Sequence, residues 1–130
     1  QQLKIIEKFV EDLNIDVDIV GLDTIREKSG LAMSSRNFYF SNNRREELGS
    51  IYESLKYGKR EIVNGNKNSE FIKKIITDKL LETEGIKIDY IDIGDFHSLK
   101  SLEKIDRKVI ISLAVFVDGV RLIDNIDVDF

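Results

Sequence analysis

Two β-branched runs meet at Asp118-Gly119 in KVIISLAVFVDGVRLIDNIDVDF, and this stretch constrains the fold more than any other. Asp-Gly suits a two-residue hairpin turn, so the runs on either side are predicted to pair antiparallel. In the first run Val109, Ile111, Leu113, Val115 and Val117 alternate with Ile110, Ser112, Ala114 and Phe116. Apolar residues in both sets predict a strand covered on both faces. A third alternating run, IKIDYIDIGD (Ile86 to Asp95), is predicted to join them.

Two helical stretches precede the strands. Ser41 is a good N-cap, and Leu48, Ile51, Tyr52 and Leu55 follow at helical spacing. That helix is expected to run on through Ile62 and Val63, although Gly58 weakens it by about 1 kcal/mol relative to Ala. After the turn NGNKNS, Phe71, Ile72, Ile75, Ile76 and Leu80 share one side of a second helix, with Gly85 as its stop. Leu48, Ile51, Leu55, Ile72, Ile76, Ile111, Leu113 and Val115 are the expected core. From residue 41 the fold class is α+β: a small antiparallel sheet of about three strands packed with two helices.

The N-terminus differs. Leu3, Ile6, Phe9, Val10 and Leu13 form an amphipathic helix, Asn14 is a candidate C-cap, and Val17 to Val20 reads as a short strand ending at Gly21. One helix and one strand cannot bury their faces alone. They read as the end of an α/β unit whose other strands would precede residue 1. A chain that starts Gln1-Gln2, without Met, fits a processed product or a fragment.

Composition excludes some classes. The 130 residues carry 20 basic and 24 acidic side chains, interspersed, which speaks against a nucleic-acid binder. No apolar run reaches the roughly 18 residues a membrane span needs. Cysteine is absent, so there are no disulfides.

Between these parts lies SGLAMSSRNFYFS, Ser29 to Ser41, with an extended piece expected at Asn37 to Phe40. Taken as residues, it fits two descriptions. One is a plain connection, with Leu31 and Met33 packed inward and Ser34, Ser35 and Arg36 solvated. The other is an anion site, in which two hydroxyls, a guanidinium and the amides of a small-residue turn converge on a phosphate. The polar groups Ser34 to Asn37 imply few apolar anchors and a mobile loop.

TIREKSGLAMSSRNFYFS resembles the pantoate–β-alanine ligase family, whose T-V-R-E-x-D-G-L-A-M-S-S-R-N-x-Y-L-S stretch stands for the K-M-S-K-S loop of nucleotidyltransferases. QQL with its helix, DLN, IDYIDIGD and RLIDNI extend the similarity along the chain. The resemblance implies an ATP-dependent ligase that makes pantothenate from pantoate and β-alanine through a pantoyl adenylate, with Mg²⁺ assisting. It implies a cytoplasmic enzyme, a homodimer at full length. Residues 1–23 would then end a Rossmann-like nucleotide-binding domain, and residues 24–130 would be a C-terminal lid. The family's H-x-G-H motif has no counterpart here, so the chain alone is expected to be inactive.

Carried over position by position, Arg36 and Ser34 would act on the phosphates. Ile25, Met33, Ser34, Ser35 and Arg36 would bind ATP, the first two through backbone beside the adenine. Gln2 would bind pantoate. Asp23 stands where the family usually has Pro, and Ser29 where it has Asp. Both departures leave the rigidity of the loop open.

Other candidates are weaker. His97 is a lone surface histidine, Arg44-Arg45 a solvated pair, Asp124-Asn125 a structural feature of a strand end, and Asp89, Asp92 and Asp95 show no metal geometry. A different class stays open: a free-standing α+β interaction or dimerisation module whose loop binds nothing.

Overall fold

The structure is a computed structural model describing residues 1–130. Helix α1 (Gln2–Asp12) is followed by an irregular segment and a 3₁₀ turn (Ser35–Tyr39). Then come α2 (Asn42–Glu47), α3 (Ser50–Val63), α4 (Ser69–Leu80), β1 (Ile86–Asp95), β2 (Val109–Val117) and β3 (Val120–Val128). The sheet is antiparallel in the order β1-β2-β3, and α3 and α4 pack on one of its faces. All eight expected core residues are buried there, joined by Ile62, Leu80, Ile93 and Ile105.

The β2–β3 register runs from Val117↔Val120 to Val109↔Val128, with Asp118 and Gly119 at φ 49° and 81° in the turn. Both lie in the left-handed region that a type I′ hairpin needs. In β1 a bulge between Ile88 and Tyr90 resets the alternation, so Ile91 and Ile93 continue the inner face begun by Ile86 and Ile88.

The sheet is not covered on both faces. The Val109, Ile111, Leu113, Val115, Val117 set is fully buried. On the other side only Ala114 is buried, Ile110 and Ser112 are half-buried and Phe116 is exposed. Both helices lie on the first side, and nothing of comparable area covers the second.

No strand forms at Val17 to Val20. The segment is irregular and Val17, Val20 and Leu22 are exposed; a strand needs a neighbour to take its N–H and C=O groups, and none stands alongside. Helix α1 forms as expected, with Leu13 as C-cap and Asn14 left-handed beyond it, but buries none of its residues.

The long helix expected from Ser41 is two helices. Ser41 Oγ caps α2 by accepting from Arg44 N at 3.2 Å. The chain breaks at Leu48-Gly49, where a Cβ on Gly49 would sit 2.2 Å from the Ser29 carbonyl oxygen. Inside α3, Gly58 is a close-approach point: a Cβ there would meet Ile76 Cδ1 at 2.6 Å. Its cost in helix propensity is the condition for α3 and α4 to touch. Helix α4 ends at Leu80, short of Gly85, which instead lies in the turn just before β1, and Phe71 faces out.

Candidate functional site

The loop between α1 and α2 is folded back on itself. Glu27 N donates to Leu31 O at 2.8 Å, Gly30 N to Glu27 O at 2.9 Å and Met33 N to Ile25 O at 2.9 Å. Arg26 and Ala32 face each other as an antiparallel bridge. Leu31 and Phe40 are buried in the core cluster. One apolar plug on each side of Ser34 to Asn37 ties the loop to the domain.

Polar contacts brace it on two sides. On one, Arg26 donates to Asp124 through Nη1 at 2.7 Å and Nη2 at 2.9 Å, to Gly30 O at 3.1 Å and to Asn125 O at 3.3 Å. Its guanidinium lies over the Tyr52 ring, 3.5 Å from the centroid. On the other, Glu27 Oε1 accepts from Asn37 Nδ2 at 2.8 Å and from Arg45 Nη1 at 3.4 Å, while Asn37 also donates to Ala32 O at 3.0 Å. Asn37 is buried, and its Oδ1, like Arg45 Nε, has no partner.

What this frame presents is the run Met33 to Arg36, all exposed. Ser34 caps the 3₁₀ turn, its Oγ accepting from Arg36 N at 3.2 Å. That turn replaces the extended piece expected at Asn37 to Phe40, because Asn37 must point inward to reach Glu27 and Ala32. The ion pairs of the loop, Arg26–Asp124 and Arg45–Glu27, leave the Arg36 guanidinium uncommitted. A cavity of about 280 Å³ opens beside it, lined by Thr24, Met33, Ser34, Arg36, Arg121 and Asn125 among others. Exposed hydroxyls, a free guanidinium and a small concavity can hold an oxyanion.

The other candidates fall as follows. Ile25 has an exposed side chain and meets Met33 through backbone. Ser35 lines a neighbouring hollow of about 410 Å³ with Ser34, Asn37 and Phe38. Gln2 does not share a cavity with Arg36. It lines a cleft of about 910 Å³ between the start of α1 and the open sheet face. Arg121, Ile123 and Asn125 of β3 border both spaces, so Gln2 and Arg36 open onto the same strand.

Arg44 and Arg45 are not a solvated pair. Arg44 donates to Glu47 at 2.7 Å and to Glu84 O at 2.6 Å, and Arg45 joins Glu27 and Asn42. Asp124 is structural, as expected, though in the middle of β3 rather than at its end. His97 is exposed, its ring edge-on to Phe96. Asp95 accepts from the N–H groups of Ser98 and His97, which hold its carboxyl below the ordinary range, Ser98 most of all. No group of acidic or histidine side chains could hold a metal ion.

Sequence reasoning missed Arg26, Glu27 and Tyr52 as parts of the site. Arg26 and Asp124 are 98 residues apart. The one local signal was an Asp on the β3 face otherwise set by Val120, Leu122, Ile126 and Val128, a position that demands a cationic partner.

A sequence profile of the family described as Pantoate-beta-alanine ligase matches residues 1–127. The chain belongs to that family. Pantothenate synthetase of Thermotoga petrophila is 43% identical over 125 residues, covering 96% of this chain and 45% of that protein. Pantothenate synthetase of Clostridioides difficile is 44% identical over 125 residues, covering 96% and 44%. The crystal structure of pantothenate synthetase from Thermus thermophilus superposes with a TM-score of 0.87 at 29% identity, over 96% of this chain and 45% of that one. The chain thus spans somewhat under half the length of these relatives, and its three-stranded α+β sandwich is part of the family's fold.

Proposed function

We propose that residues 24–130 are the C-terminal lid of an ATP-dependent ligase that joins pantoate to β-alanine, and that residues 1–23 end its nucleotide-binding domain. The observation that carries this is the exposed Ser34-Ser35-Arg36 set with its unpaired guanidinium, held by a braced loop in a chain that matches the family along nearly its whole length.

The reaction has two steps. A pantoate carboxylate oxygen attacks the α-phosphorus of ATP; pyrophosphate leaves and pantoyl adenylate forms. The β-alanine amine then attacks the acyl carbon, loses a proton and expels AMP as the amide forms. In the first step negative charge builds on the departing pyrophosphate. Arg36 offers a planar fork of donors to those oxygens. Ser34 already accepts from Arg36 N, so its hydroxyl proton is free to donate to the same group. Ser35 adds a second hydroxyl. The backbones of Met33 and Ile25, joined by a hydrogen bond, would flank the adenine. Gln2 would bond pantoate across the cleft, and closure would keep water from the mixed anhydride. Mg²⁺ would arrive with ATP, since these residues supply no ligand set for it. We assign the complete enzyme to the cytoplasm as a homodimer, with this chain inactive by itself.

The test is pyrophosphate exchange into ATP, dependent on pantoate, by the complete ligase that carries these residues. Arg36→Ala should slow it by about 10²- to 10³-fold. Arg36→Lys should recover part of the loss, since an ammonium lacks the fork. Preformed pantoyl adenylate and β-alanine should react at a nearly unchanged rate, because pyrophosphate is gone by then. Equal slowing of both half-reactions would show that Arg36 is no polyphosphate ligand.

A further inference from the structure

Asp124 is the one carboxylate in the chain that is buried. It stands in register with Leu113, in a β3 row otherwise made of Val120, Leu122, Ile126 and Val128. Its side chain is 1% exposed, and it accepts three bonds, two from Arg26 and one from Asn125 N at 2.7 Å. Stability alone does not call for this arrangement, because a well-packed apolar pair is as stabilising as a buried ion pair, or more so. A bidentate pair supplies direction, which an apolar contact does not.

The direction is informative. Arg26 sits on the first arm of the folded-back loop and crosses to its second arm by bonding Gly30 O, while its stack on Tyr52 sets the guanidinium plane. Every strong contact of Arg26 is thus with protein, so this cation is committed and unavailable to a ligand, in contrast to Arg36.

We infer that Arg26 and Asp124 are positioning residues: their buried ion pair locks the loop onto β3 so that Ser34, Ser35 and Arg36 face a polyphosphate in one fixed geometry. The inference rests on the phosphate-binding role proposed for the loop. It assigns Arg26 no contact with the nucleotide.

Two readouts on this chain test it: backbone amide exchange, and the amide shifts of Ser34 to Asn37 on titration with inorganic tripolyphosphate. Asp124→Asn should speed exchange at Glu27, Gly30 and Met33 by about tenfold or more, leaving Ile111 and Leu113 nearly unchanged. Arg26→Lys should fall between the two. In case the single variants unfold, Arg26→Met with Asp124→Leu removes both charges together; it should stay folded yet bind tripolyphosphate about tenfold more weakly. Loop amides as protected in Asp124→Asn as in the parent, or a double variant that binds as tightly as the parent, would overturn the inference alone. A parent chain whose Ser34 to Asn37 amides do not respond in the millimolar range would overturn the phosphate role, and the inference with it.

Discussion

Replacing Gly49 by Ala should damage the loop from outside it. Gly49 is right-handed, at φ −55° and ψ −22°, so an L side chain is conformationally allowed, and helix propensity would favour Ala by at most about 1 kcal/mol. Space decides otherwise. The added Cβ would lie 2.2 Å from Ser29 O, 2.9 Å from Ser29 C and 3.0 Å from Ser29 Cβ. A carbon and a carbonyl oxygen approach no closer than about 3.3 Å, so the Ser29 backbone must retreat by about 1 Å. Ser29 is bonded to Gly30, whose carbonyl accepts from Arg26 at 3.1 Å, and that bond does not survive a retreat of this size. Overpacking against backbone costs about 1–3 kcal/mol and a lost hydrogen bond about 1 kcal/mol. Set against the propensity gain, the net is about 2 kcal/mol of destabilisation, or a melting temperature lower by roughly 7 °C. Urea unfolding followed by circular dichroism measures the first, and amide exchange of residues 27–33 the local effect. A Gly49→Ala chain as stable as the parent, with unchanged exchange in the loop, would refute the claim that the α2–α3 junction and the loop are packed backbone to backbone.

Leu113→Ala, at a fully buried site in the central strand, should cost about 2–5 kcal/mol in the same urea assay, whereas Phe116→Ser on the open face should cost about 1 kcal/mol or less; similar losses would mean both faces are covered. Asp95 has a folded pKa depressed mainly by Ser98, so it contributes stability that is present above its unfolded value, about 3.9, and lost as pH falls through the folded one. Asp95→Asn should therefore flatten the acid limb of a stability-against-pH curve while leaving the stability difference constant above pH ~6, and an acid limb unchanged by the substitution would exclude this role.

The elements that follow from local chemistry were legible in the sequence. Asp118-Gly119 sets a hairpin by backbone preference alone, and the helical spacing of Ile51, Leu55, Ile72 and Ile76 identifies faces that must be buried wherever they pack. Ser34-Ser35-Arg36 could be named because their chemistry lies within three residues. Elements that depend on a distant neighbour were misjudged. Val17 to Val20 has strand-forming residues and no strand to pair with. Ile110 and Phe116 are apolar, yet neither α3 nor α4 packs over them. The helix from Ser41 breaks where the Ser29 carbonyl needs the space a side chain would fill.

The sequence by itself determined which segments become helix and strand from residue 50 onward, and which side chains are equipped to meet a phosphate. The tertiary structure decided which of them can. Arg26 and Arg36 are ten positions apart on one loop with the same guanidinium, and nothing in their order along the chain separates their roles. The difference is made by Asp124 and Tyr52, brought from β3 and α3: a buried carboxylate must be neutralised at short range, so it captures the arginine within reach and leaves the other in solvent.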